Sequence, residues 1–543
     1  MSEAKQQNYL HGAAIMAGTT VIVKIVAFAY KIPLGSMMLL GDEGYAHFQV
    51  AYNIYSFFLT LATAGFPIAL SRMISVSVTL DRPAQAQRIF KVALGVLAGI
   101  GGFFTLIMLA FHQPLAVLMG DPLASESITA LSFAVVIVCL TSAYRGYCQG
   151  RGNMIPTAYG QVVEEVGKLI VGLSLAWVLL RTGHELSTAS AGAIFGVTAG
   201  GLGALAYMAY CKRKYYPQRT YGMSDIPDSR GRIVRNFLRI GIPIAIGSSV
   251  LSLINLLDNS LTLNRLQSAA GFTSGEANIL YGVYGKAQTF YNLPSYFITP
   301  LTLSVVPAIA TCMAKRQRAE AGEIAESALR ITAVIAMPMG VGLSILSEPV
   351  MRGVYWGSNA AGPTLLRVLG IAAFFVCMSM IGNSVLQAAG LERLPIISII
   401  LGGIVKIGVN WFLVGNPQIN ITGAPVGSIC CFAVVCIADY YFLCKTMPKP
   451  PRLSRVLGAP LVSSAVMGVA TWATYGLSFR ALSLIGGSER MMMLAAMVVA
   501  MAVSTVVYVI LIGQTRAVTM DDMELIPHGE KLGRLMHLKK DIH

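Results

Sequence analysis

The chain has 543 residues, 55% of them hydrophobic and 12% charged, with a mean hydropathy of +0.66. Soluble globular proteins of that length are not so poor in charge, and long continuous apolar runs, in place of alternation, exclude a transmembrane β-barrel. The formal charge of +15 sits mostly in short stretches between apolar runs, which reads as a membrane-topology signal and excludes a nucleic-acid footprint.

The class is therefore an all-α polytopic membrane protein. A helix needs about 20 apolar residues to cross a hydrocarbon core. By run length, about fourteen spanning segments are predicted, over 10–39, 45–78, 88–111, 123–149, 155–181, 187–212, 236–264, 276–313, 324–349, 361–389, 394–415, 421–445, 453–479 and 488–514. The first run flows directly into the next loop and segment, so no cleavable signal peptide is predicted. The nine cysteines lie in or beside apolar segments without metal-ligand spacing and read as small packing residues.

The first segment carries Lys24 near its middle and Lys31 seven residues on, on the same helical face. A lysine at that depth costs about 2.5–3.5 kcal/mol on insertion scales. A lipid-facing side would not hold two such cations cheaply, so this face is expected to line a wet, protein-walled cavity. Snorkelling toward an interface is the other reading.

Loops alternate in charge. One set carries Arg82, Arg88 and Lys91, then Arg145 and Arg151, then the basic stretch from Lys212 to Arg235, then Lys315, Arg316 and Arg318, Arg393, and Lys445 to Arg455. The other set, with Asp42, Glu43, Asp121, Glu185 and Glu276 among its members, is far poorer in Lys and Arg. The basic set is expected on the cytoplasmic side, which makes both termini cytoplasmic.

The chain also repeats itself weakly. Gly18-Thr-Thr-Val resembles Gly247-Ser-Ser-Val, and Gln149, Pro156 and Lys168 have counterparts in Gln387, Pro395 and Lys406. Two parallel six-helix lobes are expected, with two helices appended. The divisions are 1–212 for the first lobe, 213–235 for a cytoplasmic linker, 236–446 for the second lobe, 447–515 for the last two helices and 516–543 for a cytoplasmic tail.

Charges inside apolar segments point to function more than any other feature. Glu164, Glu165 and Lys168 share one segment, where either acid can pair with the lysine at i,i+4 or i,i+3. They are candidate coupling or gating groups, together with Asp258 and Lys406. Lys286 and Tyr284 precede Pro294, and Asp258 and Lys286 are a candidate structural pair. Asn53 lies between Tyr52 and Tyr55. Arg145 and Arg151 are assigned to topology, and Asp439 to a solvated position at a helix end. Lys24, Lys31, Lys168, Lys286 and Lys406 outnumber the three central acids, which favours an anionic substrate in a low-dielectric cleft. Pro33, Pro67, Pro294 and Pro307 are candidate bending points.

The runs Val-Lys24-Ile-Val-Ala-Phe-Ala-Tyr-Lys31, Leu-Gly-Asp-Glu-Gly-Tyr45 and Gly65-Phe-Pro-Ile-Ala-Leu-Ser-Arg72 resemble the polysaccharide-exporter branch of the MOP flippase superfamily. So do Tyr144-Arg-Gly-Tyr-Cys-Gln-Gly150, Asn292-Leu-Pro294 and Val306-Pro307. Within it the pattern is most similar to the MurJ-type lipid II flippases and SpoVB-type sporulation proteins of Firmicutes. The resemblance spans nearly the whole chain. It implies a non-enzymatic flippase moving an undecaprenyl-diphosphate-linked cell-wall precursor, lipid II, to the outer leaflet by alternating access. It places the first basic cavity position at Lys24 and the second at Tyr30, with Lys31 next to it. The family's basic residue before the eighth-helix proline is not matched, because Gln288 or Thr289 stands there and Lys286 lies about a turn earlier. The substrate-binding set expected on these grounds is Lys24, Tyr30, Lys31, Asn53, Tyr284 and Lys286. No cofactor is implied beyond a coupling cation or the membrane potential. The expected partners are the lipid-linked saccharide and membrane lipids, with the chain acting as a monomer in the cell membrane. Export of another lipid-linked oligosaccharide is the nearest alternative. A multidrug exporter of the same superfamily would need a net acidic cavity, and a membrane-embedded glycosyltransferase would need a catalytic acid in a sizeable loop.

Overall fold

The computed structural model describes residues 3–216, 226–448, 450–515 and 518, with side chains of residues 3–15, 17 and 303 left aside. The expected cytoplasmic tail lies outside these residues, Val518 excepted, as does the middle of the 213–235 linker. The chain is 87% helical with no strands among the described residues. It divides into two compact units. One holds the described residues up to Gln267 with Thr273–Asn278, and the other holds Ser268–Phe272 with the described residues from Ile279 onward.

The first unit contains α1 (Glu3–Leu34), α2 (Glu43–Thr63), α3 (Phe66–Thr79), α4 (Pro83–Ala110), α5 (His112–Leu118), α6 (Ser125–Gly150), α7 (Ile155–Arg181), α8 (Leu186–Tyr215) and, up to Gln267, α9 (Arg230–Ser268). The first turn of α10 (Ser274–Tyr291) also belongs to it. The rest of α10 lies in the second unit, with α11 (Leu293–Ala314), α12 (Arg318–Ile345), α13 (Ser347–Val354), α14 (Gly362–Ala388), α15 (Arg393–Val414), α16 (Gly423–Thr446), α17 (Leu453–Ile485) and α18 (Glu489–Thr515).

Among the described residues, 12 helical stretches are long and apolar enough to cross a membrane. Helices α1 and α7 occupy the two remaining predicted segments. Helix α7 falls outside the twelve because every eighteen-residue stretch of it contains three charges, Glu164, Glu165 and Lys168. The chain is thus a multi-pass membrane protein whose charges gather on particular helices.

Three predicted segments are each two helices. The run 45–78 breaks at Ala64–Gly65, where Pro67 takes the second position of α3. The run 276–313 breaks at Asn292, with Pro294 at the second position of α11. Proline lacks the N–H that a continuing helix needs and fits the first turn of a new one. The run 324–349 breaks at Leu346, before the short α13. Pro33 and Pro307 stay inside α1 and α11.

Close approach of α7 and α8 comes from small residues. Gly192, Gly196 and Gly200 recur every fourth residue and line one face of α8. A Cβ on Gly196 would sit 2.6 Å from Gly172 Cα, and one on Gly200 would collide with the Glu164 carbonyl oxygen. In lipid, where burying apolar surface gives little drive, such backbone proximity supplies the association. In the second unit, α17 and α18 dock on α12, where the Tyr508 hydroxyl donates to Val334 O at 2.7 Å.

Candidate functional site

The glycine stripe of α8 fixes α7, and α7 carries the acids. Glu164 pairs with Arg145 of α6, Nη2 to Oε2 at 2.5 Å, and Glu165 pairs with Lys168, Nζ to Oε2 at 2.6 Å. Sequence spacing allowed Lys168 either acid. The structure pairs it with Glu165 and brings a second cation to Glu164 from another helix. Arg145 lies within α6, with its side chain 17% exposed and engaged by Glu164.

Helix α1 closes one side of this cluster. Lys24 is exposed and Lys31 half-buried. Lys168, Lys24 and Glu165 are among the charged groups whose fields act on Lys31. Tyr30 is buried, its hydroxyl donates to Ala193 O of α8 at 3.1 Å, and Lys168 Nζ stands 5.5 Å from its ring centroid. Tyr30 thus packs α1 against α8 and offers its ring face to the cluster.

Helix α2 closes another side. Its rings form a ladder, with Tyr45 to Phe48 and Phe48 to Tyr52 each 6.1 Å between centroids and Tyr52 to Tyr55 5.9 Å. Tyr52 lies in the field of Lys168, Glu165 and Glu164, and Tyr55 in that of Glu164 and Arg145. Neither tyrosine nor Arg145 was in the expected substrate set. The signal for Arg145 was its place inside the predicted segment 123–149, and the signal for the tyrosines was their helical spacing. Asn53, on the same helix, is half-buried. The first unit therefore brings Arg145 and Lys168 against Glu164 and Glu165 beside tyrosine rings, with Lys31 in the field of Lys168 and Glu165 and Lys24 two turns before it on α1. Such an arrangement can hold a multiply charged anion and offer hydroxyl and ring surfaces to a sugar.

The other expected residues are Asp258 in the first unit and Tyr284, Lys286 and Lys406 in the second. Asp258 of α9 is buried, 1% exposed. In the second unit Lys286 is fully buried; its ammonium stands 5.1 Å from the Tyr355 ring centroid and donates to Ser358 Oγ at 3.5 Å. Tyr284 is buried on the same helix, its ring 6.4 Å from that of Tyr281. Lys406 is buried on α15, one turn from Asn410, which meets Gly427 of α16.

Two further polar sites lie outside the expected set. His47 Nδ1 is 2.6 Å from Asp121 Oδ2, whose Oδ1 accepts from Asn278 Nδ2 at 3.0 Å, and all three residues are buried. Gly120, at φ +84°, allows the turn that aims Asp121 inward. Asp439 is not solvated: it is 2% exposed, packed against Gly382 of α14 beside a mostly apolar pocket. The sequence placed it near a helix end, but the neighbouring helices cover that end.

Comparisons with known proteins fit this architecture. The signature of the family described as "Polysaccharide biosynthesis protein" matches residues 9–313. An uncharacterized membrane protein of Bacillus subtilis, YabM, is 27% identical over 532 residues, 97% of each chain. Stage V sporulation protein B of the same organism is 24% identical over 544 residues, covering 98% of this chain and 99% of the relative. Its lipid II flippase MurJ is 24% identical over 486 residues, 85% and 87% of the two chains. Among solved structures, a lipid II flippase MurJ in an inward closed conformation superposes with a TM-score of 0.65 at 13% identity, over 93% of this chain and 100% of the other. An inward-facing multidrug resistance MATE transporter of the MOP superfamily gives 0.63 at 18% identity, over 79% and 97%. These similarities establish the fold.

Proposed function

Because the chain belongs to the polysaccharide biosynthesis protein family, we propose that it is a MOP-superfamily transporter that flips an undecaprenyl-diphosphate-linked cell-wall precursor, lipid II, by alternating access. The observation that carries this reading is the cation excess of the α1, α6 and α7 cluster, four cations against two carboxylates, beside the tyrosines of α2. A diphosphate head complements that excess, whereas an organic cation would be repelled. The relative named as a lipid II flippase supports the same substrate class.

In this reading Lys24 and Lys31 attract the diphosphate, the tyrosines flank the sugar, and the polyprenyl chain stays in lipid. The Arg145–Glu164 and Lys168–Glu165 pairs are the switch elements, because a phosphate entering the cluster competes with the carboxylates for the same cations. Asp258 and Lys406 are secondary candidates for coupling. An ion gradient or the membrane potential drives the cycle, a charge gaining about 2.3 kcal/mol per 100 mV. Both termini are cytoplasmic and the protein works as a monomer.

The test is translocation of fluorescent lipid II in proteoliposomes containing the full chain. Lys24→Ala with Lys31→Ala is expected to slow it at least about tenfold, the equivalent of about one charge-assisted contact. Lys24→Arg should keep most of the rate. Full activity of the double variant would overturn the anion site, and transport of a different lipid-linked oligosaccharide in place of lipid II would reassign the cargo.

A further inference from the structure

We propose that the first unit carries a second anion site, a surface cleft that holds the phosphate head of an anionic membrane lipid. The cleft has a volume of 430 Å³ and lies where α3 ends, α4 begins and α9 begins. It is lined by Arg72 of α3, Arg82 of the turn before α4, Asn236 and Arg239 of α9, and Asp228. That volume lies within the range of small-ligand sites, about 300–1,000 Å³.

One wall of the cleft is built by hydrogen bonds. Arg82 Nη2 donates to Ile226 O at 2.6 Å. Gln85 Nε2 donates to Asp228 Oδ2 at 3.0 Å, and the Asp228 N–H donates to Gln85 Oε1 at 2.7 Å. These contacts fasten the 226–228 segment to the start of α4. The one carboxylate in the lining is thereby engaged, and Arg232 Nη1 stands 3.6 Å from its other oxygen. Arg72 and Arg239 are exposed along the other walls. Three arginines thus line the cleft with one engaged carboxylate, and a guanidinium fork matches a phosphate with paired hydrogen bonds.

The rest of the lining suits a lipid better than a soluble anion. Val76 and Leu80, which share the cleft, are 53% and 63% exposed. They give the cleft an apolar margin along which acyl chains can lie while the head stays with the arginines. Basic pockets between membrane helices on the cytoplasmic side recognise anionic head groups in this way. Arg88, Lys91 and Arg235 on the same helices make this the basic end of the unit. The assignment stands on these residues alone and does not need the transport reading, which uses the cluster of α1, α6 and α7.

The experiment is native mass spectrometry of the purified full chain exposed in turn to phosphatidylglycerol, phosphatidylcholine, undecaprenyl diphosphate and inorganic phosphate. The expected result is retention of phosphatidylglycerol over phosphatidylcholine, reduced at least about fivefold by Arg72→Gln with Arg239→Gln and partly restored by lysine at both positions. Lys24→Ala should leave phosphatidylglycerol retention unchanged, which separates this site from the proposed transport cluster. Arginine-dependent retention of undecaprenyl diphosphate as well would support the same phosphate chemistry with the lipid substrate as a second source. Equal retention of phosphatidylcholine would overturn the proposal. So would an unaffected double variant, or displacement of the lipid by millimolar inorganic phosphate. A melting curve of the double variant matching the parent shows that lost retention is not lost folding.

Discussion

Arg145→Gln tests the physical core of the site. Its guanidinium and the Glu164 carboxylate meet at 2.5 Å, with side chains 17% and 21% exposed. Removing one partner of a buried pair costs about 3–5 kcal/mol, because the remaining charge is left without compensation. One-fifth exposure lets solvent recover part of that, so about 2–3 kcal/mol is expected for Arg145→Gln and the same for Glu164→Gln. The double variant leaves two neutral amides that can hydrogen-bond each other and should cost about 1 kcal/mol. The coupling energy of the cycle is then about 3–5 kcal/mol. The assay is reversible unfolding of the purified protein in detergent, followed by helical signal across a denaturant series for the parent, both singles and the double. The reasoning fails if the single variants match the parent, or if the double costs the sum of the singles. Either result would mean that the carboxylate of α7 finds equal stabilisation without α6.

Three other outcomes follow from the structure. Gly200→Val should prevent α8 from closing on α7, since even a Cβ collides with the Glu164 carbonyl oxygen; size-exclusion chromatography should show aggregated or unstable protein, while Gly203→Val, whose Cβ meets only Val163 at 3.4 Å, should be mild. His47→Leu leaves Asp121 buried with only the Asn278 amide of its two side-chain partners and should destabilise the protein by about 2–4 kcal/mol, with His47→Gln recovering part of the loss in melting curves. Lys286→Ala removes an ammonium held over the Tyr355 ring and a fully buried alkyl stem; a loss of about 2–4 kcal/mol in stability is expected, with little change in lipid II affinity of the folded fraction measured by binding titration.

Much of the fold was legible because membrane insertion reads local properties. Apolar length defined the fourteen predicted segments, and Pro67 and Pro294 mark two of the helix breaks. That these prolines begin new helices is decided by the structure, since a proline in an apolar run is also compatible with a kink. The charged face of α1 and the acids of α7 were visible as exceptions to hydrophobicity. The Gly192, Gly196 and Gly200 repeat was equally visible and went unused. Its meaning depends on Gly167 and Gly172 lying across from it.

Pairing was different, because a helix states which residues share its face and leaves open what meets that face. Glu164 had a local partner in Lys168 at i,i+4, and only the approach of α6, nineteen residues back, gave it Arg145 instead. Asp439 looked solvated by its distance from the helix end, and only the packing of α14 against α16 buried it. Composition and periodicity thus placed cations and acids on particular membrane helices. Tertiary packing decided which carboxylates hold them, since desolvation and ion pairing depend on distances of a few ångströms that residue order does not encode.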